Sequence, residues 1–215
     1  MLSLFLSETI NNPGVIMKKM VLVLALLGSI AVQAADIANS PPAKATLCVA
    51  CHGPLGNSTN PQWPNIAGQH KSYLYKQLLD YKKGTTRRSA TMAAIVSTLT
   101  DQEMKDLATF YASQPIAEGK TPAKYLKRGE QLYRGGDFDK HITACIACHG
   151  PRGTGNAQAG FPSLSGQHAP YLIMQMQEFK DKKRHNDLNE IMRDISSRMD
   201  AEDIEYVAYY IQGLY

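Results

Sequence analysis

All four cysteines of this 215-residue chain lie in two copies of one pattern, CVACH at residues 48–52 and CIACH at residues 145–149. Cys-x-x-Cys followed at once by His is the attachment pattern of c-type haem. Two thiols about one helical turn apart can form thioethers with the vinyl groups on one edge of a porphyrin, and the adjacent His can supply an imidazole to the iron. We therefore predict two covalently bound haem c groups. The predicted attachment residues are Cys48, Cys51, Cys145 and Cys148, and the predicted proximal iron ligands are His52 and His149.

The N-terminal segment has the layout of a bacterial secretory signal peptide. Residues 17–34 read MKKMVLVLALLGSIAVQA, with a basic start, an apolar run and small residues at the end. We expect residues 1–16 to be an upstream extension, translation to start at Met17, and cleavage to follow Ala34. The apolar run is short for a transmembrane span, although an uncleaved anchor helix stays open as an alternative. The mature protein is then expected in the periplasm.

The export signal helps to decide whether the cysteine pairs bind haem, bind zinc or act as redox dithiols. A structural zinc ion on four thiolates and a redox dithiol also use Cys-x-x-Cys, and both stay open as alternatives. Two copies of the pattern behind an export signal, each followed by His, favour haem over both. The chain has no dense Lys and Arg tract interleaved with aromatic residues, so nucleic acid is not an expected partner.

The internal repeat extends well beyond the cysteine motif. Residues 63–75 read WPNIAGQHKSYLY and residues 161–173 read FPSLSGQHAPYLI, an offset of 98. A second pair of similar segments begins at Met92 and Met192. The chain is therefore predicted to consist of two homologous domains. The predicted domains are residues 35–117 and 118–215, with the polar, proline-containing stretch 113–124 as the linker between their motifs.

Apolar residues recur at helical spacing within each domain. Leu74, Leu78 and Tyr81 fall at i, i+4 and i+7, and the corresponding residues of the second domain do the same. A capping box at Thr100–Glu103, with a similar pattern at 200–203, predicts the start of the last helix of each domain. No stretch shows a convincing strand alternation. We predict an all-α protein with three to five helices per domain, in which the haem supplies much of the apolar core.

The second axial ligand decides between an electron carrier and an enzyme. An open sixth position allows chemistry with O₂, CO or peroxide, whereas a closed position favours electron transfer. Of the six methionines that follow the signal segment, only Met92 and Met192 correspond when the two halves are aligned. A ligand needed in both domains should be duplicated, whereas a core Met can drift to Leu or Ile. We predict Met92 and Met192 as the distal ligands, with two ordinary core residues as the alternative.

Two further histidines also correspond between the halves. His70 and His168 follow the same Gly-Gln pair, and bis-His ligation is chemically sound. They lie on the segment that leads into the apolar-stripe helix, so we favour a surface or loop-capping role over ligation. His141 and His185 have no counterpart in the other half, and we expect them in solvent.

Two basic runs lie at matching places in the two halves, KKGTTRR at residues 82–88 and KDKKRH at residues 180–185. We expect them to be solvated helix ends. A role in facing the haem propionates or a protein partner stays open.

Together these motifs resemble the dihaem cytochrome c4 family over nearly the whole chain after residue 34. Each half has Cys-x-x-Cys-His-Gly, a Pro-x-(Ile/Leu)-x-Gly-Gln segment, Tyr-Leu, a distal Met and a final amphipathic helix, and the second half carries RGEQLYRGGD at residues 128–137. The resemblance implies two tandem class I cytochrome c domains, each wrapped around one haem and packed across a pseudo-twofold interface. It also implies that the carbonyls of Pro64 and Pro162 accept hydrogen bonds from the proximal histidines.

The resemblance implies a function as well, that of a periplasmic electron carrier and not an enzyme. The implied partners are a quinol-oxidising complex as donor and a terminal cytochrome c oxidase as acceptor, with loose association to the membrane surface. Two alternatives stay open. One is a dihaem cytochrome subunit or electron acceptor of a periplasmic oxidoreductase, and the other is a dihaem peroxidase-type enzyme with an open sixth site.

Overall fold

The computed structural model describes residues 40–214, so the predicted signal peptide, its cleavage site and residues 1–16 lie outside the described residues. We call residues 40–112 the first module, residues 113–122 the connecting segment and residues 123–214 the second module. The predicted boundary between residues 117 and 118 falls within the connecting segment. No helix of the described part is long and apolar enough to cross a bilayer.

The described part of the first module is built from four α-helices. They are α1 Thr46–His52, α2 Lys71–Lys83, α3 Ala90–Ser97 and α4 Asp101–Ala112. A 3-10 turn, Ala43–Ala45, leads directly into α1. Helix α2 packs against both α3 and α4, and the loop before it carries the repeated Gly-Gln-His sequence.

The second module repeats this arrangement and adds a helix in front. Its α-helices are α5 Ala123–Gly135, α6 Ile146–His149, α7 Ala169–Lys180, α8 Ile191–Ser197 and α9 Ala201–Gln212. Helix α9 packs against both α5 and α7. Residues 40–214 contain only isolated β-bridges, at Asp137–Ile142 and Asn156–Phe161, so the predicted all-α fold is confirmed.

Each module buries its own apolar cluster, as the two apolar stripes predict. In the first module Leu74, Leu78 and Tyr81 of α2 pack onto a cluster formed mainly by α4 and the end of α3. In the second module Leu172 and Met176 are buried in the corresponding cluster beneath α9. The predicted caps of the last helices are also present. The side chains of Thr100 and Asp200 each accept a hydrogen bond from the backbone three residues on, and both form complete capping boxes.

The two modules meet through hydrogen bonds that repeat when the modules are exchanged. Gln167 accepts from the N–H of Asn65 and donates to its carbonyl, both at 2.8 Å. Gln69 donates to the carbonyl of Ser163 at 2.8 Å and accepts from its N–H at 2.9 Å. Both pairs of corresponding residues are 98 positions apart, the offset of the repeat. The pseudo-twofold packing that the resemblance implies is therefore present.

The connecting segment is held against the first module. Asn57 donates to the carbonyl of Pro115 and accepts from the N–H of Ala117, both at 3.0 Å. Ile116 lies so close to Gly68 that a Cβ on this glycine would be 2.2 Å from the Ile116 side chain. A larger residue at position 68 would therefore displace the connecting segment, which accounts for the glycine in the first Gly-Gln-His sequence.

The expectation that the two basic runs are solvated helix ends is wrong for one arginine in each run. Arg87 and Arg184 are buried between the modules, 4% and 5% exposed, although their neighbours Arg88 and Lys183 are exposed. His185 was also expected in solvent, but it is only half-exposed and its backbone N–H donates to Thr86 of the first module at 2.9 Å. The C-terminal part of each run therefore contributes to the interface between the modules, whereas most of the other basic residues are exposed as expected.

Candidate haem-binding sites

The first candidate site is presented by the end of a short helix. Helix α1 contains Cys48, Cys51 and His52, so the two thiols lie about one turn apart and His52 is the last residue of the helix. The helix stops at Gly53, which has a φ of +77°. A Cβ at Gly53 would lie 2.4 Å from the carbonyl oxygen of Asn57. The glycine therefore lets the chain turn sharply just after the predicted iron ligand.

The second candidate site has the same construction on a shorter helix. Helix α6 ends at His149, and Gly150 follows it with a φ of +75°. Helix α5 is joined to this site by a hydrogen bond, which Tyr133 donates to the Gly150 carbonyl at 2.6 Å. In the part of the first module that the structure describes, α1 is preceded only by a 3-10 turn.

Both predicted proximal histidines are fixed in one orientation by a proline carbonyl. The Nδ1 atom of His52 lies 2.8 Å from the Pro64 carbonyl oxygen, and that of His149 lies 2.9 Å from the Pro162 oxygen. The carbonyl can only accept, so Nδ1 carries the proton and Nε2 keeps its lone pair. These are the two hydrogen bonds that the family resemblance implies, and the structure confirms them.

The protonation of these imidazoles suits iron ligation. Both rings are buried, with 8% and 7% of each residue exposed. Burial lowers the pKa of His52 and that of His149, and the hydrogen bonds to the proline carbonyls oppose this effect without reversing it. The neutral imidazole, which is the ligating form, is therefore the stable one near neutral pH.

The cysteines are free and half-buried, and their environment argues against the two other uses of Cys-x-x-Cys. Burial raises the pKa of the Cys48 thiol and raises that of Cys145 to about 12. A redox dithiol or a zinc site needs thiolates, which are favoured by lowered pKa values. Among residues 40–214, no group of three or more His, Cys, Asp or Glu side chains is placed to hold a metal ion. The zinc alternative therefore has no site in the described part of the chain.

The methionines differ in burial in a way that bears on the distal ligands. Met104 and Met199 are fully buried core residues, 2% and 1% exposed. Met92 and Met192 are half-buried, each on the first turn of a helix, and Met92 packs against the same apolar cluster as Cys48. The Met92 position is fixed by Ser89, whose hydroxyl accepts from the Met92 N–H at 3.3 Å. This placement is compatible with ligation, which stays a prediction for both residues.

The rival histidines lie at the interface between the modules. The Nε2 atom of His168 lies 2.9 Å from the carbonyl oxygen of Ser58 in the first module. Ser58 in turn donates from its hydroxyl to the Cys51 carbonyl at 2.9 Å. The Nε2 atom of His70 is buried and has no hydrogen-bond partner among the described residues. His168 thus joins the second module to the first cysteine motif, a role that the sequence analysis did not anticipate.

The residues present fit two covalent haems. In each module two unpaired thiols precede an imidazole whose free nitrogen is Nε2, at the edge of an apolar cluster. When bound, the haem supplies an iron that is reversibly reduced by one electron. The cysteines would attach the porphyrin, and the proline carbonyls would orient the imidazoles toward the iron.

The comparison with protein families agrees with this division into two modules. The family model described as cytochrome c matches residues 43–114 and again residues 126–215. Two such modules, each with its own Cys-x-x-Cys-His motif, define a dihaem c-type cytochrome, a class of electron-transfer proteins.

Sequence and structural similarity to individual proteins identifies the family within this class. The chain is 44% identical over 169 residues to cytochrome c4 of Thiocapsa roseopersicina, covering 78% of this chain and 87% of that protein. The crystal structure of reduced recombinant cytochrome c4 from Pseudomonas stutzeri matches with a TM-score of 0.77 at 41% identity, covering 80% of this chain and 95% of that one. A thiosulfate dehydrogenase electron acceptor of Thiomonas intermedia is 34% identical over 200 residues, 89% of each chain. The chain belongs to the cytochrome c4 family.

Proposed function

We propose that this protein carries electrons in the periplasm from a quinol-oxidising complex to a terminal cytochrome c oxidase, using one haem in each module. Cys48 and Cys51 hold the first haem, and Cys145 and Cys148 hold the second. Each iron has a proximal His and a distal Met. The axial pairs are His52 with Met92 and His149 with Met192.

The observation that carries this proposal is the reciprocal interface that joins two similar haem sites in one chain. Gln69 and Gln167 hold the loop of the opposite module at Ser163 and Asn65, next to the prolines that orient the proximal histidines. A fixed relation between the two sites suits a carrier that accepts and passes on single electrons. Methionine ligation at both irons closes the sixth positions and raises the potentials, which suits electron transfer rather than reaction with small ligands.

The haem count and the maturation of the chain are tested by mass spectrometry of the protein isolated from the periplasm. We expect a polypeptide that starts at Ala35 and carries two covalently added haems. A mass that corresponds to one haem or none would contradict the assignment of the cysteines. A start upstream of Ala35 with both haems present would contradict only the processing.

A second candidate function is electron acceptance from one periplasmic oxidoreductase. The similarity to the Thiomonas intermedia thiosulfate dehydrogenase electron acceptor favours it. The two candidates share the haem sites and differ in the donor. The test is stopped-flow reduction of the ferric protein by a purified quinol-oxidising complex and by a purified thiosulfate dehydrogenase. Fast reduction by the first alone supports the respiratory role, and fast reduction by the second alone supports the alternative.

We also propose that the protein associates only loosely with the membrane surface, without a helix of the described part entering the bilayer. Sedimentation with vesicles of mixed anionic and zwitterionic lipids tests this association. Binding at low salt that is lost at high salt is expected, because a surface contact between charges is screened. Binding that persists at high salt would contradict a purely peripheral contact.

A further inference from the structure

One tyrosine in the core of the first module has a hydroxyl group without a hydrogen-bond partner. Tyr111 lies near the end of α4 and is only 2% exposed. Among the tyrosines of residues 40–214, it alone has a buried hydroxyl oxygen that no other group of the described chain bonds. Burying a hydroxyl without a partner costs free energy, so nearly all such groups in proteins are satisfied. The Tyr111 hydroxyl therefore requires an acceptor that the bare polypeptide does not offer.

This hydroxyl lies beside the first attachment cysteine. Cys48 packs against the apolar cluster that contains Tyr111. Burial raises the pKa of the Cys48 thiol, and the Tyr111 hydroxyl opposes this effect. Burial also raises the pKa of Tyr111, and Cys48 raises it further. The two groups are thus close enough to interact, although they form no hydrogen bond of ordinary geometry.

The Tyr111 ring is held in place by the loop that follows the cysteine motif. A Cβ at Gly56 would lie only 2.8 Å from a ring carbon of Tyr111. The Gly68 N–H donates to the Tyr111 carbonyl at 2.9 Å, and the Phe110 ring packs edge-on with its centre 5.0 Å from that of Tyr111. Because this core is closely packed, the ring has little room to turn its hydroxyl away from Cys48.

The second module has aliphatic side chains at the corresponding place. Ile211 is aligned with Tyr111 at an offset of 100, the offset of the two predicted distal methionines. Leu214 packs on Gly153, the counterpart of Gly56, and a Cβ on this glycine would lie 3.1 Å from the Leu214 side chain. Neither residue has a polar side-chain atom, so the hydroxyl breaks the symmetry of the repeat.

A different tyrosine lies near the first attachment cysteine of the second module. Tyr133 of α5 belongs to the apolar cluster against which Cys145 packs. Its hydroxyl, however, donates to the Gly150 carbonyl at 2.6 Å. The Tyr133 proton is therefore engaged by the backbone and is not available to the cysteine sulfur.

We propose that Tyr111 donates a hydrogen bond to the thioether sulfur that Cys48 forms with the first haem, and that this bond raises the reduction potential of that haem alone. Haem attachment adds the Cys48 S–H across a vinyl double bond, so that a C–S bond forms and the hydrogen moves to the other vinyl carbon. The sulfur then has no proton and can only accept, so the Tyr111 hydroxyl is the donor.

The direction of this hydrogen bond determines its effect on the potential. The positive end of the O–H dipole faces the edge of the porphyrin. Reduction adds one electron, delivered by the redox partner, to the ferric haem and breaks no bond. A positive dipole end at this place favours the form with the additional electron, and it does so more strongly in a buried site than in water.

The proposal rests on the proposed function, since it requires a haem on Cys48. The two can fail separately. A wrong haem count appears in the mass of the wild-type protein, whereas a wrong role for Tyr111 appears in a variant that retains both haems.

The test is a potentiometric titration of the two-haem Tyr111→Phe protein, followed by visible absorbance. We expect one midpoint potential to fall, with the ferrous-to-ferric ratio at a fixed potential reduced by about threefold, equivalent to about 28 mV for one electron. The other potential should stay at the wild-type value. The matched control is Tyr75→Phe, which removes the same atom from a hydroxyl of the first module that is bonded to Asp101. Both potentials of this control should equal those of the wild type.

NMR spectra of partly oxidised samples assign the shifted potential to a module, because the thioether signals of Cys48 and Cys145 each change when their own haem is oxidised. A fall that follows the Cys48 signals supports the proposal. A fall that follows the Cys145 signals, equal falls at both haems, or no fall larger than that of Tyr75→Phe would overturn it.

A second measurement on the wild-type protein applies if Tyr111→Phe does not retain both haems. Low-spin ferrous haem is diamagnetic, so a hydrogen-bonded Tyr111 hydroxyl proton should give a slowly exchanging NMR signal with a nuclear Overhauser contact to the Cys48 thioether. The absence of this signal under conditions that show the Tyr133 hydroxyl proton would contradict the hydrogen bond.

Discussion

The side-chain amide of Gln167 binds both polar groups of the Asn65 backbone, accepting from its N–H and donating to its carbonyl, each at 2.8 Å. Gln69 makes the equivalent pair with Ser163. Each glutamine belongs to one Gly-Gln-His sequence and holds the loop of the other module. The sequence repeat therefore encodes the interface between the modules as well as the haem sites.

Replacing Gln167 by Leu should lower the free energy of unfolding of the holo-protein by about 1–3 kcal/mol, because the Asn65 N–H and carbonyl would be buried without partners. Urea unfolding followed by circular dichroism measures the change. Gln177→Leu is the matched control, since Gln177 lies on the same helix as the stripe of the second module and is exposed. Equal unfolding midpoints for the two variants would show that the glutamine pairs do not stabilise the interface.

The Met92→Ala variant should open one haem only. Ferrous Met92→Ala is expected to bind CO at about one haem in two and to show a lower potential at that haem, because a thioether ligand stabilises ferrous iron and blocks the sixth site. CO titration followed by absorbance measures the stoichiometry, and Met192→Ala should behave likewise at the other haem.

The buried core methionines provide the controls for this experiment. Met104→Ala and Met199→Ala should lose about 2–5 kcal/mol of stability by leaving cavities, yet bind no CO. If either of them opened a haem while the Met92 and Met192 variants stayed closed, the distal ligands would be assigned to the wrong residues.

The second module should lose stability in acid through Asp200, which caps α9. The hydrogen bond from Lys140 holds the pKa of the Asp200 carboxyl down at about 2. Because this pKa is lowered in the folded state, the stabilisation is complete above the ordinary value near 3.8 and is lost as the pH falls through about 2. The effect should be small, since the Asp200 side chain is 57% exposed.

Acid unfolding of Asp200→Asn tests this relationship. Asn keeps the capping oxygen and removes the charge, so the variant should be less stable at neutral pH and approach the wild type near pH 2. The exposed Asp139→Asn is the control, and it should show no such convergence. A constant difference between wild type and Asp200→Asn at all pH values would contradict the role of the charge.

The helices and caps of each module could be predicted because each depends on residues that lie close together in the sequence. The Cys-x-x-Cys-His spacing indicates the attachment helices, the i, i+4, i+7 stripe of Leu74, Leu78 and Tyr81 indicates the buried face of α2, and Thr100 indicates where α4 starts. The proline carbonyls that orient the proximal histidines were implied only by the family resemblance. Nothing in the spacing of Pro64 and His52 alone would have paired them.

The interface could not be predicted in the same way. Arg87 and Arg184 occur in basic runs, and a run of charges is usually solvated, so periodicity offers no sign that they are buried. Their burial depends on how the two modules pack against each other, whereas the apolar stripe of a helix indicates only the face that it turns to its own core. The sequence did contain one sign of a shared interface. Polar residues on the two stripe helices, such as Gln77 and Gln175, repeat at the same offset as the apolar residues of those helices.

We predict that both irons have closed His/Met coordination and serve electron transfer alone. A CO titration of the ferrous wild-type protein, calibrated by its haem content, measures whether either sixth position is open. We predict that neither haem binds CO at concentrations that saturate the Met92→Ala variant at one haem in two. Stoichiometric binding at either haem of the wild-type protein would contradict His/Met coordination at that iron, because it would show an open sixth site suited to an enzyme.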